Sequence, residues 1–267
     1  MTVTVRDLRK WKTEGTKFTM LTAYDYTTAK WLERAGIPVL LVGDSLGMTM
    51  LGYPDTLSVS MDDMIRHASA VVRGAPNALV IGDMPFMAYH ASAEDAIRNA
   101  GRFMQEARVH AVKMEGGGRV IDYARQLTSM GIPVMGHLGL TPQFVNQFGG
   151  WRVQGRSEEA AERILEDATA LEEAGAFSIV LEGMPSTLGR RVTDAVGIPT
   201  IGIGAGAGCD AQVLVIQDVV GLNPDHVAKF VRQYGRLGES LEAAARQFDQ
   251  DVRSGAFPTA EHEYAAR

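Results

Sequence analysis

Residues 111–137 read AVKMEGGGRVIDYARQLTSMGIPVMGH. The first five form an apolar-rich run of strand length, and 119–130 follow with the spacing of an amphipathic helix. Gly131 stands where a helix end takes the left-handed conformation that closes its last turn. A second apolar run at 132–137 completes a strand, helix, strand unit of the kind that joins parallel strands. Within the first strand Lys113 and Glu115 are two apart and share one face, while Val112 and Met114 take the other. The unit therefore carries a buried apolar side and a charged pair near its C-terminal end.

The same alternation extends in both directions. Further strands are expected near 18–24, 38–43, 78–83, 178–182, 199–204 and 211–217, each short enough to be buried on both faces. Helices over 26–35, 61–73 and 158–174 end before Gly36, Gly74 and Gly175. Ser157 precedes Glu158 and Glu159 and is placed to cap the last of these helices, and Asp25 is read as the cap of the first. Eight strands in this rhythm predict an α/β fold, a closed (β/α)₈ barrel. The 267 residues suit one such domain over 1–267, since this barrel typically needs about 250. Only about half a dozen residues separate the seventh and eighth strands, too few for a crossover helix. Helices are expected over 225–236 and 238–254, followed by the polar tail SGAFPTAEHEYAAR. The stretch TPQFVNQFGGWRVQGR (141–156) is the longest candidate loop, with little helical pattern, and is expected to act as a lid or binding loop.

Hydrophobic residues make up 46% of the chain and charged residues 22%, which permits a large core and argues against disorder. The net charge of −6 and the lack of a basic stretch leave no electrostatic footprint for nucleic acid or an anionic membrane. A small-molecule partner fits better. The single cysteine, Cys209, has no partner for an internal disulfide, which suits a reducing cytoplasm. The first residues, MTVTVRDLRKWKTEG, lack the apolar region of a signal peptide, and no run approaches the roughly 20 apolar residues of a membrane span.

In a (β/α)₈ barrel, reactive groups sit at the C-terminal ends of the strands. Those ends read Gly43-Asp44-Ser45, Gly82-Asp83-Met84, Lys113-Met114-Glu115, Gly136-His137-Leu138 and Leu181-Glu182-Gly183. A lone acid there is as readily a helix cap as a functional group. Asp44, Asp83 and Glu115 together would repel one another unless a cation lay between them. Oxygen-only donors favour a hard ion, so Mg²⁺ is the first choice, with Mn²⁺ or Co²⁺ as substitutes. Glu182, flanked by Leu181 and Gly183, is the preferred general base, ahead of His137, for which ligand, base and positioning roles stay open. The glycine run over 201–208 fits a dinucleotide fingerprint only loosely. It leads into a strand where such a fingerprint should open a helix, so close approach of backbone to a ligand is the better reading.

GDSLGMTMLGYPDTLSVSMDDMIRHA (43–68), DMPFMAYHAS (83–92), VKMEGG (112–117), GIPVMGHLGLTPQ (131–143), GGWRVQGR (149–156) and IGIGAGAGCDAQVLV (201–215) together resemble the ketopantoate hydroxymethyltransferases. The likeness spans about residue 7 to about residue 262. It implies a barrel of the phosphoenolpyruvate/pyruvate-binding type that transfers a hydroxymethyl group from 5,10-methylenetetrahydrofolate to 3-methyl-2-oxobutanoate. It further implies that Asp44 and Asp83 bind one Mg²⁺ per subunit, that Glu115 completes the site directly or through water, and that Ser45 and Lys113 contact the 2-oxo acid. Glu182 would be the proton acceptor, His137 would position the substrate, and the assembly would be a homodecamer. Trp151 stands where tyrosine is common in the family and Gln217 where histidine is expected, both away from the metal and base positions. The rivals are a related Mg²⁺-dependent lyase or mutase and a non-catalytic binding barrel. Gly116-Gly117-Gly118 after Glu115 offers no nucleophile of the kind an isocitrate lyase carries in its mobile loop.

Overall fold

Strand parity decides where each side chain of the barrel goes. In the computed structural model, which describes residues 2–224 and 227–265, the strands are β1 (Phe18–Thr22), β2 (Val39–Val42), β3 (Leu79–Asp83), β4 (Ala111–Glu115), β5 (Val134–Gly139), β6 (Ser178–Glu182), β7 (Thr200–Ile203) and β8 (Ala211–Leu214). All are parallel, in sequential order, and β8 closes onto β1. Alternate residues Phe18, Met20, Val39, Leu41, Leu79, Ile81, Ala111, Met135, Val180, Ile201 and Val213 form one buried cluster, the packed interior of the barrel. Two residues further along the same parity come Asp83 on β3, Lys113 and then Glu115 on β4, His137 on β5 and Glu182 on β6. The functional side chains are thus the next layer above the apolar one. The opposite end is plugged by the helix Val5–Thr13, whose Leu8 is fully buried in the same cluster with Trp11 against it.

The opposite parity faces the outer helices, and glycines there allow close approach. A Cβ on Gly82 would lie 2.6 Å from the Phe103 ring, and one on Gly136 would lie 2.7 Å from Leu171. Caps start the helices as expected: Asp25 accepts from the Thr28 amide at 2.9 Å, and Ser157 from the Ala160 amide at 3.2 Å. Gly36, Gly131 and Gly175 follow their helices with positive φ. Gly74 differs. It remains inside the helix Met61–Gly74, and its bareness serves packing, because a Cβ would meet the Tyr26 carbonyl oxygen at 2.5 Å. Gly74→Ala is expected to destabilise the fold by about 1–3 kcal/mol, the usual cost of overpacking, read as a lower urea midpoint at unchanged slope.

No helix bridges β7 and β8, as their short spacing requires. The glycine run between them lets backbone pass close to the helix Ser186–Ala195: a Cβ on Gly208 would lie 2.9 Å from Arg190 Cβ, and one on Gly206 would overlap Ser186. Packing against that helix accounts for Gly206 and Gly208.

The described chain divides into two compact units, Met1–Val215 and Ile216–Arg267. In the second, the expected helix over 238–254 appears as Leu237–Ser254. The one expected over 225–236 does not form over 227–236, and residues 225 and 226 lie outside the described residues. The Tyr234 amide, which a helix there would need for itself, donates instead to the Val219 carbonyl, and the first amides of the following helix, Leu237 and Gly238, donate to Val220 and Gly221. Among the described residues, no helix is long and apolar enough to cross a membrane.

Candidate active site

Parallel register sets the candidate residues side by side. Asp83 is the strand partner of Lys113, Glu115 that of His137, and Gly139 that of Glu182. Lys113 Nζ donates to Asp83 Oδ1 at 2.6 Å and to Glu115 Oε1 at 3.0 Å. His137 Nδ1 lies 3.1 Å from the same Glu115 oxygen. On its other side, Nε2 lies 3.3 Å from Glu182 Oε2, within ion-pair reach but off the line of a well-aligned hydrogen bond. Asp44, Asp83, Lys113, Glu115 and His137 are buried, whereas Glu182 keeps 16% of its side chain exposed. One carboxylate of the group therefore reaches the open mouth.

Asp44, Asp83 and Glu115 each present an oxygen within 4.8 Å of the others. Burial, then repulsion from Asp83 and Glu115, pushes the Asp44 carboxyl well above its usual range. Burial also raises Asp83, against the pull of Lys113. Burial works against Glu115 too, yet Lys113 and His137 outweigh it and hold that carboxyl at about 2. For His137 burial is likewise outweighed, chiefly by Glu115, and its pKa rises to about 9. One ammonium leaves two of three buried acids strained toward protonation, the condition a divalent cation relieves. The cluster fits a hard metal ion: all donors are oxygen and the set is buried.

Residues that the strand ends do not reveal complete the site. Gln143, 3% exposed, donates from Nε2 to Asp44 Oδ2 at 2.8 Å and to the Met84 carbonyl at 2.9 Å. Its Oε1 accepts from Tyr89 at 2.8 Å, and its amide donates to Glu115 Oε2 at 3.1 Å. The stretch 141–156, which opens with the turn Pro142–Phe144 and the short helix Val145–Phe148, thus inserts a residue whose side chain holds Asp44 and whose backbone amide holds Glu115. Tyr89 Oη also accepts from the Glu115 amide at 3.0 Å, and Tyr24 Oη lies 2.8 Å from Ser45 Oγ, which ties Ser45 to the segment just after β1. Gln143 and Tyr89 fall inside two of the quoted motifs, which is the only signal the sequence offers for them. The asymmetry between the acids has the same source, because Glu115 alone touches both Lys113 and His137.

A family model described as ketopantoate hydroxymethyltransferase matches residues 2–260. The chain is similar to the 3-methyl-2-oxobutanoate hydroxymethyltransferase of Syntrophus aciditrophicus (strain SB), 54% identical over 262 residues that cover 98% of this chain and 96% of that one. It is 56% identical to the enzyme of the same name from Syntrophobacter fumaroxidans, over 93% of this chain and 88% of the relative. Among solved structures, 2,3-dimethylmalate lyase superposes with a TM-score of 0.62 at 18% identity, covering 99% of this chain and 92% of the other. Phosphonopyruvate hydrolase in complex with oxalate and Mg²⁺ superposes with 0.63 at 15%, covering 98% and 93%. Those two likenesses concern the barrel fold alone. On the family match across nearly its whole length, the chain belongs to the ketopantoate hydroxymethyltransferase family of enzymes.

Proposed function

We propose that this enzyme transfers a hydroxymethyl group from 5,10-methylenetetrahydrofolate to 3-methyl-2-oxobutanoate, giving 2-dehydropantoate on the route to pantothenate. The supporting observation is a buried, oxygen-only acid cluster with a partly exposed carboxylate, Glu182, two strands beyond Glu115, in a chain of this family. Asp44, Asp83 and Glu115 would hold one Mg²⁺ per subunit, Glu115 directly or through water. When bound, the ion supplies positive charge opposite the carbonyl oxygen of the 2-oxo acid, where negative charge develops.

The remaining chemistry belongs to the side chains. Glu182 removes the proton from C3 of the substrate. The electron pair left at C3 attacks the methylene carbon of the donor as the first of its two carbon–nitrogen bonds breaks; water then supplies the hydroxyl as the second breaks, and the two folate nitrogens take up the protons that leave tetrahydrofolate neutral. Lys113 balances the negative charge of the substrate, Ser45 contacts it, and His137 positions it beside Glu182. Incubation of the enzyme with both substrates, with and without EDTA, tests the function. The expected result is 2-dehydropantoate that disappears with EDTA and returns with Mg²⁺. Turnover of neither substrate in Mg²⁺ buffer would contradict it.

A soluble cytoplasmic homodecamer is the assembly proposed with this function. The helix Leu237–Ser254 supports it by leaving Leu241, Phe248 and Val252 exposed on one face, a stripe that a neighbouring subunit would cover. Light scattering is expected to give the mass of a large homo-oligomer, and Leu241→Asp with Phe248→Asp to give smaller species. A monomeric mass for the unmodified protein would rule the assembly out.

A further inference from the structure

A cavity of about 230 Å³ lies between the loop after β4, the loop after β5 and the helix Glu158–Glu173. Its wall follows directly from the site: Gly116 and Gly117 come after Glu115, and Leu138 and Gly139 come after His137. Gly139 is also the strand partner of Glu182. Phe144 and Phe148, with ring centroids 6.4 Å apart, and Ile164 give the cavity aromatic and aliphatic faces. One ionisable group lines it, Asp167, which is half-buried beside the Gly118 amide. Among the described residues no lysine, arginine or histidine pairs with Asp167. A side chain at Gly117 would overlap this carboxylate, so the glycine is what lets it reach the cavity edge.

We propose that this cavity holds the pterin ring of the folate donor, with Asp167 accepting hydrogen bonds from the ring's 2-amino group and N3–H. The inference rests on the transfer function proposed above. A donor that delivers carbon to a substrate next to Glu182 must place its ring against the strand ends around Glu182, and Gly139 puts the cavity there. The ring has two π-faces, suited to Phe144 and Phe148. It also has one edge with two adjacent N–H donors, which matches an otherwise uncompensated carboxylate in a charge-assisted pair. A second cavity, lined by Val5, Arg9 and Ile198, lies at the opposite, plugged end of the barrel.

Isothermal titration of the full-length protein with 5-formyltetrahydrofolate, a stable analogue without a transferable methylene group, tests the assignment. Asp167→Asn keeps an oxygen for the Gly118 amide but loses the charge, and Phe148→Leu keeps apolar bulk but loses the ring. Asp167→Asn is expected to weaken binding about 10-fold or more, as loss of a hydrogen bond to a charged group implies, and Phe148→Leu to weaken it several-fold. Exchange of the C3 proton of 3-methyl-2-oxobutanoate with deuterated water, run without folate, does not use the cavity and is expected to keep its wild-type rate in both variants. Wild-type folate affinity in both variants overturns the assignment. So does an Asp167→Asn protein that loses exchange along with folate binding, because Asp167 would then act by supporting the loop after Glu115. If the wild-type protein itself neither exchanges the proton nor binds the folate, the transfer function fails and takes this assignment with it.

Discussion

Glu182→Gln is expected to slow exchange of the C3 proton of 3-methyl-2-oxobutanoate by about 10²–10⁴-fold, the usual worth of a positioned general base. The other acids are committed elsewhere. Asp83 and Glu115 share the Lys113 ammonium, and Asp44 accepts from Gln143. Glu182 lies at the rim with His137 Nε2 as its neighbour at 3.3 Å, so it has an oxygen to offer a substrate. Glutamine preserves the shape and a hydrogen-bonding contact but accepts no proton, so 2-oxo acid and metal binding should persist while exchange fails. Proton NMR in deuterated water reads this without the folate step. If Glu182→Gln exchanges as fast as wild type while His137→Asn does not, the base is His137.

Asp83→Asn is expected to lower Mg²⁺-supported turnover by at least about 10³-fold, since stabilisation of developing charge by a bound ion is worth several kcal/mol at about 1.4 kcal/mol per decade. Asparagine retains the volume and one acceptor for Lys113, whose 2.6 Å bond to Asp83 is buried. It also removes one member of a mutually repelling set, which offsets part of the lost ion pair. The barrel should therefore stay folded, with an unchanged far-UV spectrum, while calorimetric titration shows weakened Mg²⁺ binding. Near wild-type turnover at limiting Mg²⁺ would remove Asp83 from the metal site.

Much of the barrel was readable because it rests on strict parity. Two-residue spacing places Lys113 and Glu115 on one face, and the neighbouring strands bring Asp83 and His137 beside them by register. Residues that act through tertiary contact left no such trace. Gln143 sits in the single turn Pro142–Phe144 and reaches Asp44 across 99 positions of sequence, so no local pattern marks it. The helices Ala93–Arg102 and Ser186–Ala195 were missed for another reason. The first buries only the small residues Ala96 and Ala100, and the second interleaves Gly189 and Thr193 with Leu188 and Val192 on its buried face, so runs of large apolar residues do not mark either one. Gly74 read as a helix stop because glycine often is one, yet packing against Tyr26 is what demands it. The Tyr234 amide takes a non-helical partner, the Val219 carbonyl, where pattern alone favours a helix.

The most direct test is a single incubation of the enzyme with Mg²⁺, unlabelled 3-methyl-2-oxobutanoate and tetrahydrofolate carrying a ¹³C-labelled 5,10-methylene group. Carbon-13 NMR is expected to show the label in the hydroxymethyl carbon of 2-dehydropantoate, absent with EDTA and strongly reduced in Asp83→Asn and Glu182→Gln. Persistence of the label in the folate while the 2-oxo acid is consumed, or label transfer that is indifferent to EDTA, would contradict one-carbon transfer at this acid cluster.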